Sequence, residues 1–424
     1  MNTICVVGLG YIGLPTATIL AVNDAKVTGV DLRSDIVDGI NRGEISIEEP
    51  GLAALLKTAV KSGNLRAAMT AAPADVFIIA VPTPVTEAHG ADMTCVAAAA
   101  ASIVPYLRPG NLVILESTSP PGTCRNLLGP ILEQSGLKVG TDLFLAYCAE
   151  RVLPGRILEE LVSNDRVVGG VTPESAQKAR DIYARFVQGE IVQTSATTAE
   201  MIKIVENTFR DVNIALANEI ALLCEKLDID FWEVARYANR HPRVNVHQAG
   251  PGVGGHCIAV DPWFLVEAFP ETAGLVRGAR ERNDAMPAHV ADTVAALIAG
   301  IENPAVALLG VAYKANVDDV RESPALKVAS LLLERGITTR CCDPHVRTAP
   351  VPLCSVEACI AGADLAVLMT DHAEFKRLDP HHAASAMRRP CLYDTRNALD
   401  HAVWAAAGFE VAVLGAGRAR GHNT

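Results

Sequence analysis

The stretch TICVVGLGYIGLPTATILAV, residues 3–22, decides how the chain begins. Its first five residues are apolar or β-branched, as in a buried strand, and three glycines then lead into a helix-forming run. Residues 26–31, KVTGVD, predict a second strand that ends in an acidic side chain. This β-α-β opening is typical of a doubly wound α/β domain, in which ligands bind beyond the carboxyl ends of parallel strands.

The three glycines of GLGYIG predict a dinucleotide site. Gly8 permits a tight turn, Gly10 lets a pyrophosphate approach bare backbone, and Gly13 allows close contact between helix and strand. Asp31 stands where a carboxylate binds ribose hydroxyls and repels the additional phosphate of NADP, so NAD is the expected cofactor. Arg33 nearby leaves room for NADP, and a tight turn without a ligand is the plain alternative. The predicted cofactor site also includes Tyr11, Ile12 and Arg33.

Short apolar segments predict the other strands of two α/β domains. They end in polar residues, where the crevice of a parallel sheet lies. We therefore expect a Rossmann-like NAD-binding domain over residues 1–195 and a second α/β domain over residues 301–424. The segments are DVFIIAVPTP (75–84), NLVILEST (111–118) and DLFLAYCAE (142–150) in the first domain, and AVALLGVAYK (305–314), TTRCCDP (338–344), DLAVLMTDH (364–372) and CLYDTRN (391–397) in the second.

A long amphipathic run lies between these two domains. Residues 197–227 repeat apolar positions at intervals of three and four, over a length that is unusual for a surface helix. We expect a central helix within a helical middle domain over residues 196–300. The predicted fold class is therefore α/β, with two Rossmann-like doubly wound domains joined by a long central helix and a helical middle domain.

Composition narrows the functional classes. The chain has 424 residues and a formal net charge of -11, which argues against a broad nucleic-acid-binding or acidic-membrane surface. Its eleven cysteines are irregularly spaced without a C-x-x-C pair, so they indicate neither a disulfide framework nor a zinc ribbon. Because the start resembles no signal peptide and no apolar run is long enough to span a bilayer, we expect a cytoplasmic protein. We expect no metal, no nucleic acid and no membrane partner.

A second glycine-rich stretch, GPGVGGHCIAVDPW at residues 250–263, places four glycines before Cys257 and an aspartate, Asp261, after it. Glycines let backbone N–H groups approach a reacting carbonyl, and a thiol close to such donors and to a cation ionises and attacks carbon. This pattern predicts a nucleophile at Cys257. The alternative, an inert buried cysteine, is what we expect for most of the other ten.

In their order along the chain, these motifs resemble the nucleotide-sugar 6-dehydrogenases of the UDP-glucose dehydrogenase superfamily. The resemblance covers nearly the whole chain. Within the family, GGHCIAVDPWF together with ENTFRDVNIA is most similar to the branch that oxidises UDP-N-acetyl-D-mannosamine. The motifs that carry the resemblance are VVGLGYIGLP, AVPTP, ESTSPPGT, AEMIKIVENTFRDVNIALANE, PGVGGHCIAVDPWF, LLGVAYKANVDDVRESPA and YDTRN.

The resemblance implies an NAD-dependent, four-electron oxidation of the C6 alcohol of a UDP-N-acetylhexosamine to a carboxylate. UDP-N-acetyl-D-mannosamine is the expected substrate, with UDP-N-acetylglucosamine and UDP-glucose as alternatives. The first oxidation yields an aldehyde, to which the thiolate of Cys257 adds. The resulting thiohemiacetal is oxidised to a thioester, which water hydrolyses. The resemblance also implies a homodimer or larger homo-oligomer, in which Arg243 reaches the neighbouring site.

The resemblance also assigns catalytic roles residue by residue. Lys203 and Asn207, four apart on the predicted helix, would stabilise oxyanions near C6. Asp261 and Thr118 would position a water or relay its protons, and Glu150 would activate water against the thioester. Plain alternatives stay open: Lys203 as a solvated residue, Glu150 as a surface ion-pair partner and Asn207 as a packed residue. Further expected contacts are Arg151, Lys203, Asn207, Arg210, Arg243, Gly254, Lys314 and Arg396 with the substrate, and Thr83, Thr118 and Arg321 with the cofactor.

For the UDP portion, the family pattern points to cations at the ends of the C-terminal strands. Arginine forks suit phosphate oxygens. Lys314 and Arg396 are expected nearer the substrate, and Arg321 nearer the cofactor. One departure weakens one assignment: Ala149 stands where the family commonly has proline, so the position of Glu150 is the least secure.

Two other functions stay open from the residues alone. A single-step 3-hydroxyacid-type dehydrogenase shares the N-terminal dinucleotide domain, the long helix and the Lys-x3-Asn pair. It needs neither the cysteine nor a second α/β domain. A non-catalytic regulator that binds NAD or a UDP-sugar would keep the fold without the chemistry. The NADH formed per substrate separates the three functions, at two, one and none.

Overall fold

A computed structural model of the protein describes residues 3–45, 47, 49–86, 90–153, 155–255 and 257–417. The chain forms two compact units, Met1–Glu206 (unit 1) and Asn207–Thr424 (unit 2). The finer division into three domains at 195/196 and 300/301 stays a prediction.

The described part of unit 1 contains an eight-stranded sheet with the order β3-β2-β1-β4-β5-β6-β7-β8. Neighbouring strands are parallel, except that β6 and β7 are antiparallel. The chain fills one side of β1 and then the other, which creates a crevice between β1 and β4. The strands are β1 Thr3–Val7, β2 Lys26–Val30, β3 Leu65–Ala68, β4 Val76–Ile79, β5 Leu112–Leu115, β6 Phe144–Tyr147, β7 Arg166–Gly170 and β8 Ile191–Ser195.

Both faces of this sheet are covered, which explains why its central strands are almost entirely apolar. Ile4 and Val6 of β1 pack in one buried cluster, whereas Cys5 and Val7 pack in another. Alternate residues of a strand point to opposite faces. The helices of unit 1 are α1 Gly13–Val22, α2 Ser34–Asn41, α3 Leu52–Lys61, α4 Thr94–Ile103, α5 Gly129–Leu132, α6 Ile157–Ser163 and α7 Pro173–Tyr183.

The long helix predicted from residues 197–227 is α8, Ala196–Leu227. Its 32 residues make it about 48 Å long at 1.5 Å per residue. Both Lys203 and Asn207 lie on it, four residues apart.

The described part of unit 2 contains a fully parallel, five-stranded sheet with the order β10-β9-β11-β12-β13. Its strands are β9 Ala305–Leu309, β10 Thr338–Cys342, β11 Leu365–Leu368, β12 Cys391–Asp394 and β13 Glu410–Val413. The other helices of unit 2 are α9 Phe231–Ala238, α10 Asp261–Ala268, α11 Gly274–Leu297, α12 Pro324–Glu334, α13 Val356–Ile360, α14 Pro380–Ala386 and α15 His401–Ala406.

The predicted fold class is confirmed: two doubly wound α/β sheets and a long central helix within a helical region. Each strand segment named from the sequence contains a strand of the structure. The sequence analysis did not identify β3, β7, β8 or β13. Among the described residues, no helix is long and apolar enough to cross a membrane.

Candidate active site

The glycine turn after β1 is tight at both ends and open in the middle. Gly8 has φ +96°, and a Cβ there would lie 2.5 Å from the carbonyl oxygen of Ala80. A Cβ on Gly13 would lie 1.8 Å from the carbonyl oxygen of Gly8, whereas a Cβ on Gly10 meets nothing within 4 Å. Gly8 and Gly13 are therefore required by packing, and the backbone at Gly10 is open to a ligand. Tyr11 is exposed, and Ile12 precedes the first residue of α1.

Asp31 follows β2 beside this turn. Its Oδ2 accepts the N–H of Leu9 at 3.1 Å, and its Oδ1 accepts the N–H of Arg33 at 3.0 Å. The carboxylate is thus fixed in place yet stays partly exposed, with lone pairs left for hydroxyl donors. The guanidinium of Arg33 pairs with Asp35 at 2.5 Å, and both side chains are well exposed.

Thr83 and Thr118 lie in the loops that follow β4 and β5. The Ser117 hydroxyl donates to the carbonyl oxygen of Val81 at 2.7 Å and so ties the two loops together. Because Val7, Ile79 and Leu115 are in register across β1, β4 and β5, these loops leave the same edge of the sheet as the glycine turn. The structure therefore groups the predicted cofactor residues of unit 1 at one edge.

Glu150, predicted to activate water, is the counter-ion of a buried arginine. Its Oε2 accepts from Arg166 Nη2 at 2.9 Å, and the two side chains are only 7% and 5% exposed. Its Oε1 accepts the N–H of Arg151 at 2.7 Å. The guanidinium of Arg166 lies 4.8 Å from the centre of the Tyr183 ring. Each carboxylate oxygen accepts one of these hydrogen bonds, so Glu150 is a buried ion-pair partner in the structure, and its role as a base stays a prediction.

A second buried carboxylate, Glu116, was missed by the sequence analysis. It immediately follows β5 and accepts the Tyr183 hydroxyl at 2.7 Å and the Thr16 hydroxyl at 3.3 Å. Burial raises the pKa of Glu116 to about 7, although the positive charge of Arg166 opposes the shift. The available signal was its position: an acidic residue directly after a fully apolar strand, two residues before Thr118.

Two carboxylates in the first part of α8 accept hydrogen bonds from other segments of unit 1. The carboxylate of Glu200 accepts the N–H of Gly122 at 2.5 Å and that of Cys124 at 2.7 Å. Glu206 accepts from Arg151 Nη1 at 2.7 Å. Lys203 lies between these two anchors and is partly exposed. Arg151, a predicted substrate contact, therefore also has a structural partner on the helix.

In unit 2, Cys257 is exposed just before α10, and the glycines before it have a packing reason. A Cβ on Gly254 would lie 2.7 Å from Tyr313 Cβ, and one on Gly255, which has φ +81°, would lie 2.9 Å from the Tyr313 ring. The N–H of Gly255 donates to the carbonyl oxygen of Arg321 at 2.9 Å. Bare backbone therefore lets the segment lie against Tyr313. This differs from the predicted reason, which was access for a reacting carbonyl.

Asn207 and Asp261, two predicted catalytic residues, are brought together. Asn207 Nδ2 donates to Asp261 Oδ2 at 2.6 Å, and both residues are buried. The N–H of Asp261 donates to the carbonyl oxygen of Cys257 at 2.9 Å. This pair therefore stands at the base of the turn that carries the thiol.

One cationic side chain, Arg321, interacts with the same thiol. Arg321 interacts electrostatically with both Cys257 and Tyr313, and Arg210 interacts with Tyr313. The side chain of Arg321 also pairs with Asp319, with Nη2 2.5 Å from Oδ2. Tyr313 was not singled out in the sequence, although it is adjacent to Lys314.

The predicted contacts to the UDP portion follow the strands of unit 2. Arg396 comes after β12, with its Nε 3.6 Å from Asp371 Oδ1, and a Cβ on Gly250 would lie 2.6 Å from its Nη1. Lys314 follows β9 and is exposed. Arg243 is not part of this group, because it lies in the exposed segment after α9.

The other cysteines support the contrast with Cys257. Eight of the eleven cysteines are buried, Cys354 is partly buried, and Cys95 is the second exposed one. Burial raises the pKa of Cys148 and Cys391 to about 11 each. Such thiols are poor nucleophiles at neutral pH. The expectation that most of the other cysteines are buried is confirmed.

Comparison with known proteins shows that three consecutive segments of the chain match three domains of one family. The NAD binding domain of the UDP-glucose/GDP-mannose dehydrogenase family matches residues 2–187. The central domain of that family matches residues 197–285, and its UDP binding domain matches residues 307–401.

Individual relatives match over nearly the whole chain. The chain is 46% identical over 426 residues to UDP-N-acetyl-D-mannosamine dehydrogenase of Methanococcus maripaludis strain C7, covering 98% of each. It is 47% identical over 408 residues to NDP-N-acetyl-D-galactosaminuronic acid dehydrogenase of Ralstonia solanacearum, covering 93% of this chain and 96% of that protein. A solved structure of UDP-D-ManNAc dehydrogenase from Pyrococcus horikoshii matches with TM-score 0.90 at 41% identity, covering 98% of this chain and 99% of that one.

Proposed function

Because this chain belongs to the UDP-glucose/GDP-mannose dehydrogenase family, we propose that it oxidises the C6 alcohol of UDP-N-acetyl-D-mannosamine to the carboxylate. The chain is an NAD-dependent UDP-sugar dehydrogenase, as the resemblance implied. The mannosamine derivative is named for the Methanococcus and Pyrococcus relatives. A galactosaminuronic acid derivative is named for the Ralstonia relative.

The residues of unit 1 fit NAD. The open backbone at Gly10 admits a pyrophosphate, and the positive end of the α1 dipole favours its negative charge. The carboxylate of Asp31, fixed by two backbone N–H groups, suits ribose hydroxyls. Thr83 and Thr118 lie at the same edge of the sheet and complete the proposed cofactor contacts. When bound, NAD accepts a hydride in each of the two oxidations.

The thiol of Cys257 carries the proposed mechanism. Its thiolate adds to the C6 aldehyde formed in the first oxidation, creating a C–S bond and an alkoxide that takes up a proton. Oxidation of this thiohemiacetal gives a thioester, and water then breaks the C–S bond to release the carboxylate and regenerate the thiol. The observation that carries the proposal is that Cys257 is exposed and interacts with Arg321, whereas most other cysteines are buried.

Neighbouring side chains have distinct proposed roles. Lys203 supplies a positive charge to oxygens at C6. One N–H of Asn207 donates to Asp261, which leaves its second N–H for an oxyanion. The carboxylate of Asp261, at the base of the thiol turn, and Thr118 act on the water. Glu150, which is ion-paired with Arg166, is the proposed base that activates this water.

The UDP and sugar portions are assigned to cationic and backbone groups. Lys314 and Arg396 are proposed for the phosphates, because ammonium and guanidinium groups bind phosphate oxygens. Arg321 stays proposed as a cofactor contact, and Arg151, Arg210 and Gly254 as substrate contacts.

The decisive experiment counts NADH per UDP-N-acetyl-D-mannosamine consumed. The intact enzyme is expected to form two NADH. Cys257→Ser is expected to lose at least a thousandfold in carboxylate formation, or to accumulate an adduct, because the second oxidation needs the sulfur. Cys95→Ser removes the other exposed thiol and is expected to retain full activity. Full carboxylate production by Cys257→Ser would refute the thioester mechanism.

Substrate identity needs a separate comparison. We expect kcat/KM to be highest for UDP-N-acetyl-D-mannosamine and at least tenfold lower for UDP-N-acetylglucosamine, UDP-N-acetylgalactosamine and UDP-glucose. One polar group in a specific pocket discriminates by at least this much. A higher kcat/KM for the galactosamine derivative would move the assignment to the substrate class named for the Ralstonia relative.

We further propose that the protein assembles as a homodimer or larger homo-oligomer through α8. Phe209, Leu216, Leu223 and Leu227 are exposed, and their spacing of seven, seven and four places them on one helical face. An apolar stripe of this kind marks an interface. Arg243, exposed after α9, is proposed to reach the neighbouring site in that assembly.

The test of assembly is sedimentation of Leu223→Lys. This variant is expected to dissociate to a monomer, whereas Leu275→Lys, which changes a more exposed leucine at the start of α11, is expected to sediment as the unmodified protein does. A monomeric parent protein would refute the proposal.

A further inference from the structure

A buried chain of polar side chains in unit 2 runs towards the segment that bears Cys257. Asn218 on α8 and Asn283 on α11 are both buried, and Asn218 Nδ2 donates to Asn283 Oδ1 at 2.9 Å. Asn283 Nδ2 in turn donates to Asp211 Oδ1 at 2.8 Å. At the other end, Asn218 Oδ1 accepts the N–H of Gly250 at 2.9 Å. We call Gly250, Asn218, Asn283 and Asp211 the polar chain.

The polar chain ends on a buried ion pair. Arg280 Nη1 lies 2.6 Å from Asp211 Oδ1, and these side chains are 1% and 0% exposed. Arg280 Nη2 lies 2.5 Å from Asp284 Oδ1. A charge pair so completely removed from water is costly unless hydrogen bonds hold it in one geometry. Here Arg280 bonds both Asp211 and Asp284, and Asp211 Oδ1 also accepts from Asn283, so three bonds hold this end of the polar chain.

The two ends of the polar chain dictate the orientation of both amides. A peptide N–H can only donate, so it must meet an amide oxygen of Asn218. An ionised carboxylate can only accept, so it must meet an amide nitrogen of Asn283. With both ends fixed, Asn218 must donate to Asn283. Replacing either asparagine by aspartate leaves two acceptors face to face, and no flip removes the conflict.

Gly250 is the point at which the polar chain meets the site. Its N–H is held by Asn218, and its α carbon lies so close to Arg396 that a Cβ would be 2.6 Å from Nη1. Two residues on, Gly252 has φ +131°, and a Cβ there would lie 3.3 Å from the carbonyl oxygen of Asn283. The glycine segment thus rests directly on the residues of the polar chain.

We infer that the polar chain positions Cys257 and Arg396 for the reaction. The inference rests on the proposed function, in which Cys257 is the nucleophile. Asn218 and Asn283 do not touch the thiol in this account. They act through Gly250, from which Cys257 is seven residues away, while Arg321 holds the far side of the segment through the N–H of Gly255.

The test is Asn218→Asp, which keeps the size of the side chain and removes its donor. We expect kcat to fall at least tenfold and KM for the UDP-sugar to rise at least threefold, because thiol and Arg396 shift together. The dissociation constant for NAD is expected to stay within twofold, since every proposed NAD residue except Arg321 lies in unit 1. Hydrogen exchange of the segment 246–252 is expected to be at least tenfold faster, because the new carboxylate at position 218 is repelled by Asn283 Oδ1 and moves away from the N–H of Gly250.

The matched control is Asn303→Asp, the same replacement at an exposed position before β9. It is expected to leave kcat, KM and exchange unchanged. A stable Asn218→Asp variant with unchanged kcat and unchanged exchange would overturn the inference.

Two further measurements keep the test decisive. If Asn218→Asp does not fold, the unmodified enzyme still answers the question, because the Gly250 amide must exchange at least a hundredfold more slowly than the amide of Asn245, an exposed residue of the preceding segment. Rapid exchange at Gly250 would overturn the inference. Because exchange does not depend on turnover, an enzyme that fails to form two NADH would refute the proposed function without affecting this result.

Discussion

The two sheets of this protein begin alike, yet the aspartates at corresponding positions have different roles. In each sheet, the first strand leads into a glycine with a left-handed backbone, Gly8 at φ +96° and Gly310 at φ +93°. In each, the neighbouring strand ends before an aspartate, Asp31 or Asp343, that accepts N–H groups from that turn. The strand, turn and aspartate have the same arrangement in both sheets. The two carboxylates differ in the number of hydrogen-bond donors that they accept from.

The carboxylate of Asp31 keeps lone pairs for a ligand, whereas the lone pairs of Asp343 are occupied by donors within the protein. Asp343 Oδ2 accepts from the backbone of Val311 and Ala312 and pairs with His372 Nε2 at 3.0 Å, with both side chains 0% exposed. Its Oδ1 accepts two more backbone N–H groups, those of His345 and Val346. The same strand-turn-aspartate geometry thus serves binding in unit 1 and internal structure in unit 2.

The largest expected effect comes from replacing Asp343, whose two carboxylate oxygens both accept hydrogen bonds from the protein. Asp343→Asn turns one accepting oxygen into a donor that faces backbone N–H groups or His372. We expect unit 2 to lose about 4 kcal/mol of unfolding free energy, in the range found for a broken buried pair. Urea unfolding measures the loss, and NAD affinity serves as the internal control because it should not change. A loss below about 1 kcal/mol would contradict the contrast with Asp31.

The second effect is a pH dependence of stability, which has opposite signs in the two units. Burial raises the pKa of Glu116 from 4.5 to about 7, so its contribution to stability is complete below pH 4.5 and is lost as the pH rises through 7. Against the cost of burial, hydrogen bonds from His372 and the backbone hold the pKa of Asp343 below its ordinary 3.8. Its contribution is present above pH 3.8 and is lost as the pH falls.

We therefore expect alkali to loosen unit 1 and acid to loosen unit 2. Between pH 5 and 8, the Glu116 effect amounts to about 3 kcal/mol, since each pKa unit corresponds to about 1.4 kcal/mol. Hydrogen exchange of the β5 amides, corrected for intrinsic rates, reports it. Glu116→Gln should remove this slope, and an unchanged slope in that variant would assign the pH dependence to another group.

The third effect should fall on binding rather than stability. Asp31→Ala removes a charged acceptor of ribose hydroxyls, each such hydrogen bond contributing about 1.5–3 kcal/mol. We expect the dissociation constant for NAD to rise about thirtyfold, while unit 1 unfolds within about 1 kcal/mol of the parent. Isothermal titration and urea unfolding measure the two quantities. The opposite pattern, a large loss of stability with unchanged NAD affinity, would make Asp31 equivalent to Asp343.

The smallest expected effect on stability is that of Gly10→Ala. Its Cβ meets nothing within 4 Å, so we expect the unfolding free energy to change by less than about 0.5 kcal/mol. NAD affinity should nevertheless fall about tenfold, because the new methyl group occupies the approach of the pyrophosphate. Gly13→Ala provides the contrast, since its Cβ would overlap the backbone oxygen of Gly8, and it is expected to fold poorly.

The sequence was most informative where a pattern is local. Residues 3–22 predicted β1 and α1, and the interval of three and four predicted α8 to within one residue of Ala196–Leu227. It was least informative for β7 and β8, whose pairing depends on contacts between distant segments. The antiparallel step from β6 to β7 has no local signature, because strand direction is set by the intervening chain and not by side-chain alternation.

For the site, the sequence predicted which residues take part, but it did not predict which of them pair with each other. The sequence singled out Asn207 and Asp261, but nothing in it indicated that they hydrogen-bond to each other over 54 positions. It assigned Glu150 to catalysis without its counter-ion Arg166, because burial of that pair depends on how β6 and β7 pack. Glu116 was missed, although its place directly after a buried strand was visible.

The exposure of Cys257 has a cost that the other thiols largely escape. A sulfur open to a sugar aldehyde is also open to peroxide, which converts a thiolate first to a sulfenic acid and then to irreversible states. Most of the other cysteines are shielded, so oxidative damage to this protein should begin at Cys257 and, with less consequence, at Cys95. The protein would then lose activity long before it lost its fold, and bound substrate would protect it.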